Sequence, residues 1–192
     1  TESNASCPQI DEAALKEMFK KLEALQDGDT LVLAGSVPKS LPENIYEKII
    51  LHLSDKKIRV VVDATGKLVT TVLKYNPFLV KPNKAELEEI CNREIKSTEE
   101  IISAARSLKK QGAVNVLVSL GDEGALLIDQ DDKLHIRPAI KGEAVNTVGA
   151  GDSMVAGFLA GLATYDDYEK AFKMGIAAGS ASTFSEELAT KE

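Results

Sequence analysis

Thr30-Leu31-Val32-Leu33-Ala34 breaks at Gly35-Ser36-Val37-Pro38. A helical stretch follows from about Pro42 to Leu53, then a second strand, Ile58 to Val62, that ends at Asp63. The first run is short and apolar, as a strand buried on both faces of a parallel sheet is. Between the two, Ile45, Ile49, Ile50 and Leu53 recur at helical spacing. A strand, a helix and a strand of these lengths make one βαβ unit. The alternation continues on either side. Upstream, Leu15, Met18, Phe19, Leu22 and Leu25 mark a helix over 11–25, with Asp11 placed to cap it and Gly28 beyond its end. Downstream come a short helix at 67–73, a strand at 78–80 ending in Lys81-Pro82-Asn83, and a helix over 83–91. Ser97 and Glu100 have capping-box spacing and open a helix to about Lys110, stopped by Gly112. A strand over 114–120, the turn Gly121-Asp122-Glu123-Gly124, strands at 125–128 and 134–136, and helices at about 150–164 and 167–184 complete the chain. The fold class is α/β, with a mainly parallel sheet covered by helices on both faces.

Composition narrows the function classes. With 192 residues, 44% of them apolar and 28% charged, the chain suits one globular domain and excludes disorder as its main state. A net charge of -7 without a basic stripe argues against nucleic acid or an anionic membrane as partner. No apolar run approaches the ~18 residues of a membrane span, and no signal peptide opens the chain. Cys7 and Cys91 form no CxxC pair, and with only His52 and His135 there is no zinc constellation; a reducing, cytoplasmic setting fits. Asn4-Ala5-Ser6 matches the glycosylation triplet and reads as chance. His52 and His135 read as surface or structural residues. Asp129, Asp131 and Asp132 read as a solvated turn, because a calcium loop's glycine and closing glutamate are absent. Ala64-Thr65-Gly66-Lys67-Leu68 is not a P-loop, since Val61 and Leu68 stand where Gly and Ser/Thr are required. No GxGxxG follows the first strand, which argues against a dinucleotide site.

In open α/β sheets ligands gather at the carboxyl ends of the strands. That rule selects Gly35-Ser36, Asp63-Ala64, Lys81-Pro82-Asn83, Ser119-Leu120-Gly121 and the stretch 146–152. The last, Asn146-Thr147-Val148-Gly149-Ala150-Gly151-Asp152, sets two glycines ahead of a helix of small and apolar residues. The amides of a first helical turn lack internal partners and form an anion site. Asp152 among them either takes a proton from a substrate hydroxyl or simply caps the turn. Asn83 and Glu86, three apart at a helix start, offer hard oxygens to Mg²⁺ through water, or act as cap and capping-box partner. Lys81 and Asp63 each end an apolar strand, an unusual place for a charge.

Val145-Asn146-Thr147-Val148-Gly149-Ala150-Gly151-Asp152-Ser153-Met154-Val155-Ala156-Gly157 resembles the second signature of the ribokinase-like sugar kinases, the PfkB family, and is most similar to its 1-phosphofructokinase branch. Three further stretches match in order: Leu33-Ala34-Gly35-Ser36-Val37-Pro38, Val80-Lys81-Pro82-Asn83-Lys84-Ala85-Glu86, and Val118-Ser119-Leu120-Gly121-Asp122-Glu123-Gly124-Ala125. The resemblance covers essentially the whole chain. It implies a three-layer αβα fold and transfer of the γ-phosphate of ATP to a sugar-phosphate hydroxyl. The expected acceptor is fructose 1-phosphate, with tagatose 6-phosphate and fructose 6-phosphate as alternatives.

The resemblance also implies site residues. Asp152 is the expected general base and touches the sugar phosphate together with Ser36. The amides of Gly149, Ala150 and Gly151 are the expected anion hole. Mg²⁺ is expected near Asn83, Glu86 and Asp63. ATP is expected against Lys81, Asn83, Ser119, Leu120, Gly121, Asp122, Glu123, Gly124, Asn146, Val148, Gly151, Ala178 and Gly179. The family carries an N-terminal part with further strands, most sugar contacts and a lid before the point that Thr1 matches, and usually continues a little past Lys191-Glu192. The 192 residues are therefore expected to be the nucleotide and catalytic-base part of one domain. Alone they would form a nucleotide-binding module with little catalysis, with a sheet edge open to dimerisation or other self-association.

Overall fold

The computed structural model describes residues 9–38 and 40–189; Cys7 and the Asn4-Ala5-Ser6 triplet lie outside the described residues. Strands β1 (Thr30–Ala34), β2 (Arg59–Asp63), β3 (Leu79–Val80), β4 (Asn115–Ser119), β5 (Ala125–Ile128) and β6 (Leu134–Arg137) lie in chain order in one sheet. β1 to β4 run parallel; β5 and β6 are antiparallel hairpin additions. Helices α1 (Glu12–Leu22), α2 (Ile45–His52), α3 (Gly66–Val72), α4 (Lys84–Cys91) and α5 (Thr98–Lys110) cover one face, and α6 (Ala150–Tyr165) and α7 (Tyr168–Thr183) the other.

Successive residues of a strand point to opposite faces, and here that alternation builds two cores. Val62, Val80, Val116, Val118, Leu126 and Ile128 pack with Ile45, Ile49, Val69, Leu87 and Leu108. Val61, Leu79, Leu117, Ala125 and Leu127 pack with Val155 and Phe158 of α6 and Phe172 and Ile176 of α7. This is the three-layer arrangement expected, with the mainly parallel sheet in the middle.

Helix starts follow their caps. Asp11 accepts from the Ala14 amide at 2.8 Å. Ser97 accepts from the Glu100 amide at 3.3 Å, but the Glu100 carboxylate accepts from Lys96 at 2.7 Å instead of from Ser97, so the expected box closes on one side only. α6 and α7 approach closely because glycines line their contact: a Cβ on Gly157 would sit 2.7 Å from both the Ala178 Cβ and the Met174 carbonyl oxygen.

Two expectations are corrected. The apolar run of β1 does not make it a strand buried on both faces. β1 is an edge of the described sheet, only Leu33 is buried along it, and Val32 is 42% exposed on the face that α6 and α7 cover elsewhere. Asp129 is not solvated. It is buried, one carboxylate oxygen accepting from the Asp131 and Lys133 amides and the other 2.7 Å from His135 Nε2. The turn folds back so that β6 carries His135 under α7, where its Nδ1 lies 2.8 Å from Glu169. Among the described residues no helix is long and apolar enough to cross a membrane.

Candidate active site

The parallel strands end side by side, and each end delivers one polar group. Ala34 aligns with Asp63, and the Gly35 amide donates to the Asp63 carbonyl at 3.0 Å, which fixes the exposed Ser36 at that end of the sheet. Lys81 follows β3, its amide bonded to Val62 O at 3.0 Å; the Ser119 amide bonds Pro82 O at 3.2 Å, joining the ends of β3 and β4. The ammonium of Lys81 lies 3.1 Å from Asp63 Oδ1, with side-chain exposures of 6% and 13%. Burial holds the Asp63 carboxyl above the usual carboxylate range; Lys81 pulls it down, and the charges of Asp152 and Glu86 push it up again. The Asp63 carboxylate is thus paired with one ammonium and also feels two further carboxylates, an excess of negative charge that a bound cation would relieve.

The glycine turn closes over this pair. Gly149 caps α6 at φ 79°, a left-handed conformation that favours glycine. A Cβ on Gly151 would lie 3.1 Å from Lys81 Nζ, so the missing side chain lets the helix start settle onto the lysine. The amide of Ala150 bonds Thr147 O at 3.3 Å, while among the described residues no acceptor meets the amides of Gly149, Gly151 and Asp152. Of the three amides expected to form an anion hole, Ala150 N is engaged, while Gly149 N and Gly151 N are not, nor is the neighbouring Asp152 N. The Asp152 side chain is exposed in the first turn, and among the described residues no group hydrogen-bonds its carboxylate.

Asn83 and Glu86 form a full capping box, with Glu86 N bonded to Asn83 Oδ1 at 2.9 Å and Asn83 N to Glu86 Oε2 at 2.8 Å. Among the described residues no group of three or more His, Cys, Asp or Glu is arranged to hold a metal ion. These oxygen donors fit a hydrated Mg²⁺ carried largely by phosphate oxygens, and do not fit an all-protein cage.

Ser119 and Leu120 lead into a 3-10 turn, Gly121–Glu123, whose Asp122 and Glu123 are exposed. Leu120 N bonds Gly124 O at 2.9 Å, and a Cβ on Gly124 would strike Arg137 O at 2.1 Å. Other expected nucleotide residues have packing or scaffold partners. Ala178 lies against Gly157, and a Cβ on Gly179 would sit 3.0 Å from Ala150 O. Asn146 bonds Val148 and Glu186, while the Val148 side chain is 60% exposed.

Two residues at this end escaped the sequence reading. Tyr46 OH donates to Gly35 O at 3.3 Å, and burial, then the Asp63 charge, pushes its phenol up. Leu188 covers Gly149. Neither lies in a local pattern that marks a site: Tyr46 stands beside the apolar positions Ile45 and Ile49 of its helix, and Leu188 follows the last helix. Two concavities of about 340 and 400 Å³ lie elsewhere, beside α4 and α5 and at the opposite ends of β2 and β3.

Unpaired helix N-terminal amides, a buried lysine and an unengaged carboxylate thus stand together at the strand ends of a three-layer α/β sheet. Residues 1–191 match the model of the pfkB family carbohydrate kinases, and the chain belongs to that family. It is 43% identical over 192 residues to the 1-phosphofructokinase of Bacillus subtilis (strain 168), covering 100% of this chain and 63% of that protein. It is 38% identical to the 1-phosphofructokinase of Borreliella burgdorferi, covering 94% of this chain and 59% of that protein. Phosphofructokinase-2 from Escherichia coli, solved in complex with substrates and products, superposes with a TM-score of 0.88 at 32% identity, covering 94% of this chain and 60% of that one. The chain thus spans about three-fifths of the length of the relatives it matches.

Proposed function

We propose that the protein carrying this chain is an ATP-dependent sugar-phosphate kinase that converts fructose 1-phosphate to fructose 1,6-bisphosphate. The carrying observation is the glycine turn, whose unpaired amides stand with the Lys81 ammonium beneath them and the free Asp152 carboxylate in the same helical turn. Phosphoryl transfer is chiefly positioning and charge stabilisation. Asp152 accepts the proton of the acceptor hydroxyl as its oxygen bonds to the γ-phosphorus. The bond to the β-phosphate oxygen breaks, and ADP leaves. The amides of Gly149, Gly151 and Asp152 stabilise charge on the transferring group, and Lys81 adds a fixed positive charge in a dry setting. Asp63, Asn83 and Glu86 would hold Mg²⁺ through water, and bound there it would supply charge neutralisation for the phosphates.

The two relatives named 1-phosphofructokinase support fructose 1-phosphate as the acceptor. The kcat/KM of the intact protein on fructose 1-phosphate, tagatose 6-phosphate and fructose 6-phosphate tests the reading. At least ~10-fold preference for the first is expected, since misplacing the phosphate leaves polar groups unpaired. Preference for fructose 6-phosphate overturns the acceptor and leaves the kinase. No phosphorylation of any of the three overturns both.

A further inference from the structure

The amides of the glycine turn stabilise charge only if they are held in place, and the turn itself is short and led by glycine. Its outer side is gripped by the segment that follows α7. The amides of Val145 and Asn146 both donate to Thr183 O, at 2.9 and 3.1 Å. The Phe184 ring lies over Gly142, where a Cβ would come within 2.5 Å of it, and Leu188 lies over Gly149, where a Cβ would come within 2.6 Å. Main-chain bonds of this kind form whatever the residue type. The side chain of Asn146 adds one that does not. Its Oδ1 accepts from the Val148 amide at 3.0 Å, an Asx turn within the loop. Its Nδ2 donates to the Glu186 carbonyl at 2.9 Å, across to the other segment. Both ends of the carboxamide are therefore engaged by protein.

We propose that Asn146 is a positioning residue: it braces the glycine turn against the segment 183–188 and makes no side-chain contact with the nucleotide. This rests on the reading of the turn as the phosphoryl-transfer site. Asparagine suits the task because only a carboxamide accepts in the loop and donates across the gap. Aspartate accepts but does not donate to a carbonyl, and alanine does neither. Loosening the brace leaves the groups that bind ATP in place but lets the amides drift from the developing charge. The loss therefore falls on kcat, whereas a lost nucleotide ligand raises the KM for ATP.

The test compares the intact protein with its N146D and N146A variants, and with E186A, which keeps the carbonyl that Asn146 uses. Amide hydrogen exchange is followed at residues 145 and 146 without substrate, and kcat and the KM for ATP are measured separately. In N146D and N146A, exchange at 145 and 146 should quicken by ~10-fold while β4 and β5 stay protected, as for loss of about one hydrogen bond. Their kcat should fall by ~10-fold with the KM for ATP within ~3-fold. E186A should match the unsubstituted protein throughout. Unchanged exchange at 145 and 146 in a folded N146D protein overturns the proposal, as does a raised KM for ATP with unchanged kcat. Should the unsubstituted protein phosphorylate no sugar phosphate, the functional reading fails, and the exchange measurement still decides the brace. Should N146A fail to fold, N146D, which keeps the loop's own bond, carries the comparison.

Discussion

Lys81 and Asp63 are the residues at which structure and chemistry meet most tightly. Neither charge is surrounded by water, and each is tolerable only because of the other. Lys81→Met should leave the Asp63 carboxylate buried without its cation and cost about 3 kcal/mol at neutral pH. The sign of the pH dependence follows from the raised carboxyl of Asp63. A carboxyl with a higher value folded than unfolded binds its proton better in the fold, so its contribution falls as pH rises through those values. Lys81→Met enlarges that fall. Urea midpoints should therefore show a larger loss at pH 8 than at pH 5, and Asp63→Asn should restore much of it. Equal losses at both pH values would mean that the pair does not govern this site. Lys81 and Asp63 were legible in the sequence as charges at the ends of apolar strands, and Asp152 as an acid after two glycines. The Asp129–His135–Glu169 cluster was not, because its partners are 6 and 34 residues apart and meet only once the hairpin turns under α7.

At the scale of elements, the helices were legible because amphipathic spacing and caps are local. The reading of 150–164 differs from the observed Ala150–Tyr165 by one residue, and that of 83–91 from Lys84–Cys91 by one. The burial of β1 was not legible in the same way, since a strand's burial depends on what lies beside it and not on its own residues. The small residues of α7 show the same limit: Ala178 and Gly179 are expected beside ATP, and their packing against α6 becomes visible only with the partner helix in place. That contact gives a stability prediction. Gly157→Ala gains helix propensity of up to about 1 kcal/mol. It also drives a methyl into Ala178 and the Met174 carbonyl, and overpacking typically costs about 1–3 kcal/mol. Thermal unfolding should show a Tm lowered by roughly 2–6 °C. An unchanged or raised Tm would mean that the helices separate freely.

Across the whole molecule, α7 runs from the far edge of the sheet to the glycine turn, and its first turn is anchored by charge. Glu169 pairs with Arg137, His135 and Lys173, and these partners lower its carboxyl to about 2. A carboxylate lowered by folding contributes stability above its unfolded value near 4.5 and loses it as pH falls toward 2. Glu169→Gln should therefore flatten the acid side of the stability profile between about pH 4.5 and 2, by on the order of 1 kcal/mol after solvent screening. Parallel profiles for the two proteins would show that the anchor is not coupled to folding. At the other end of α7 stands the proposed site, whose proposed general base, Asp152, has no hydrogen-bond partner among the described residues. Steady-state turnover of the Asp152→Asn variant of the intact protein, with fructose 1-phosphate and ATP, tests that most directly. The predicted result is a kcat at least ~100-fold lower with both KM values within about 3-fold of the unsubstituted protein. Turnover near that of the unsubstituted protein would contradict Asp152 as the general base.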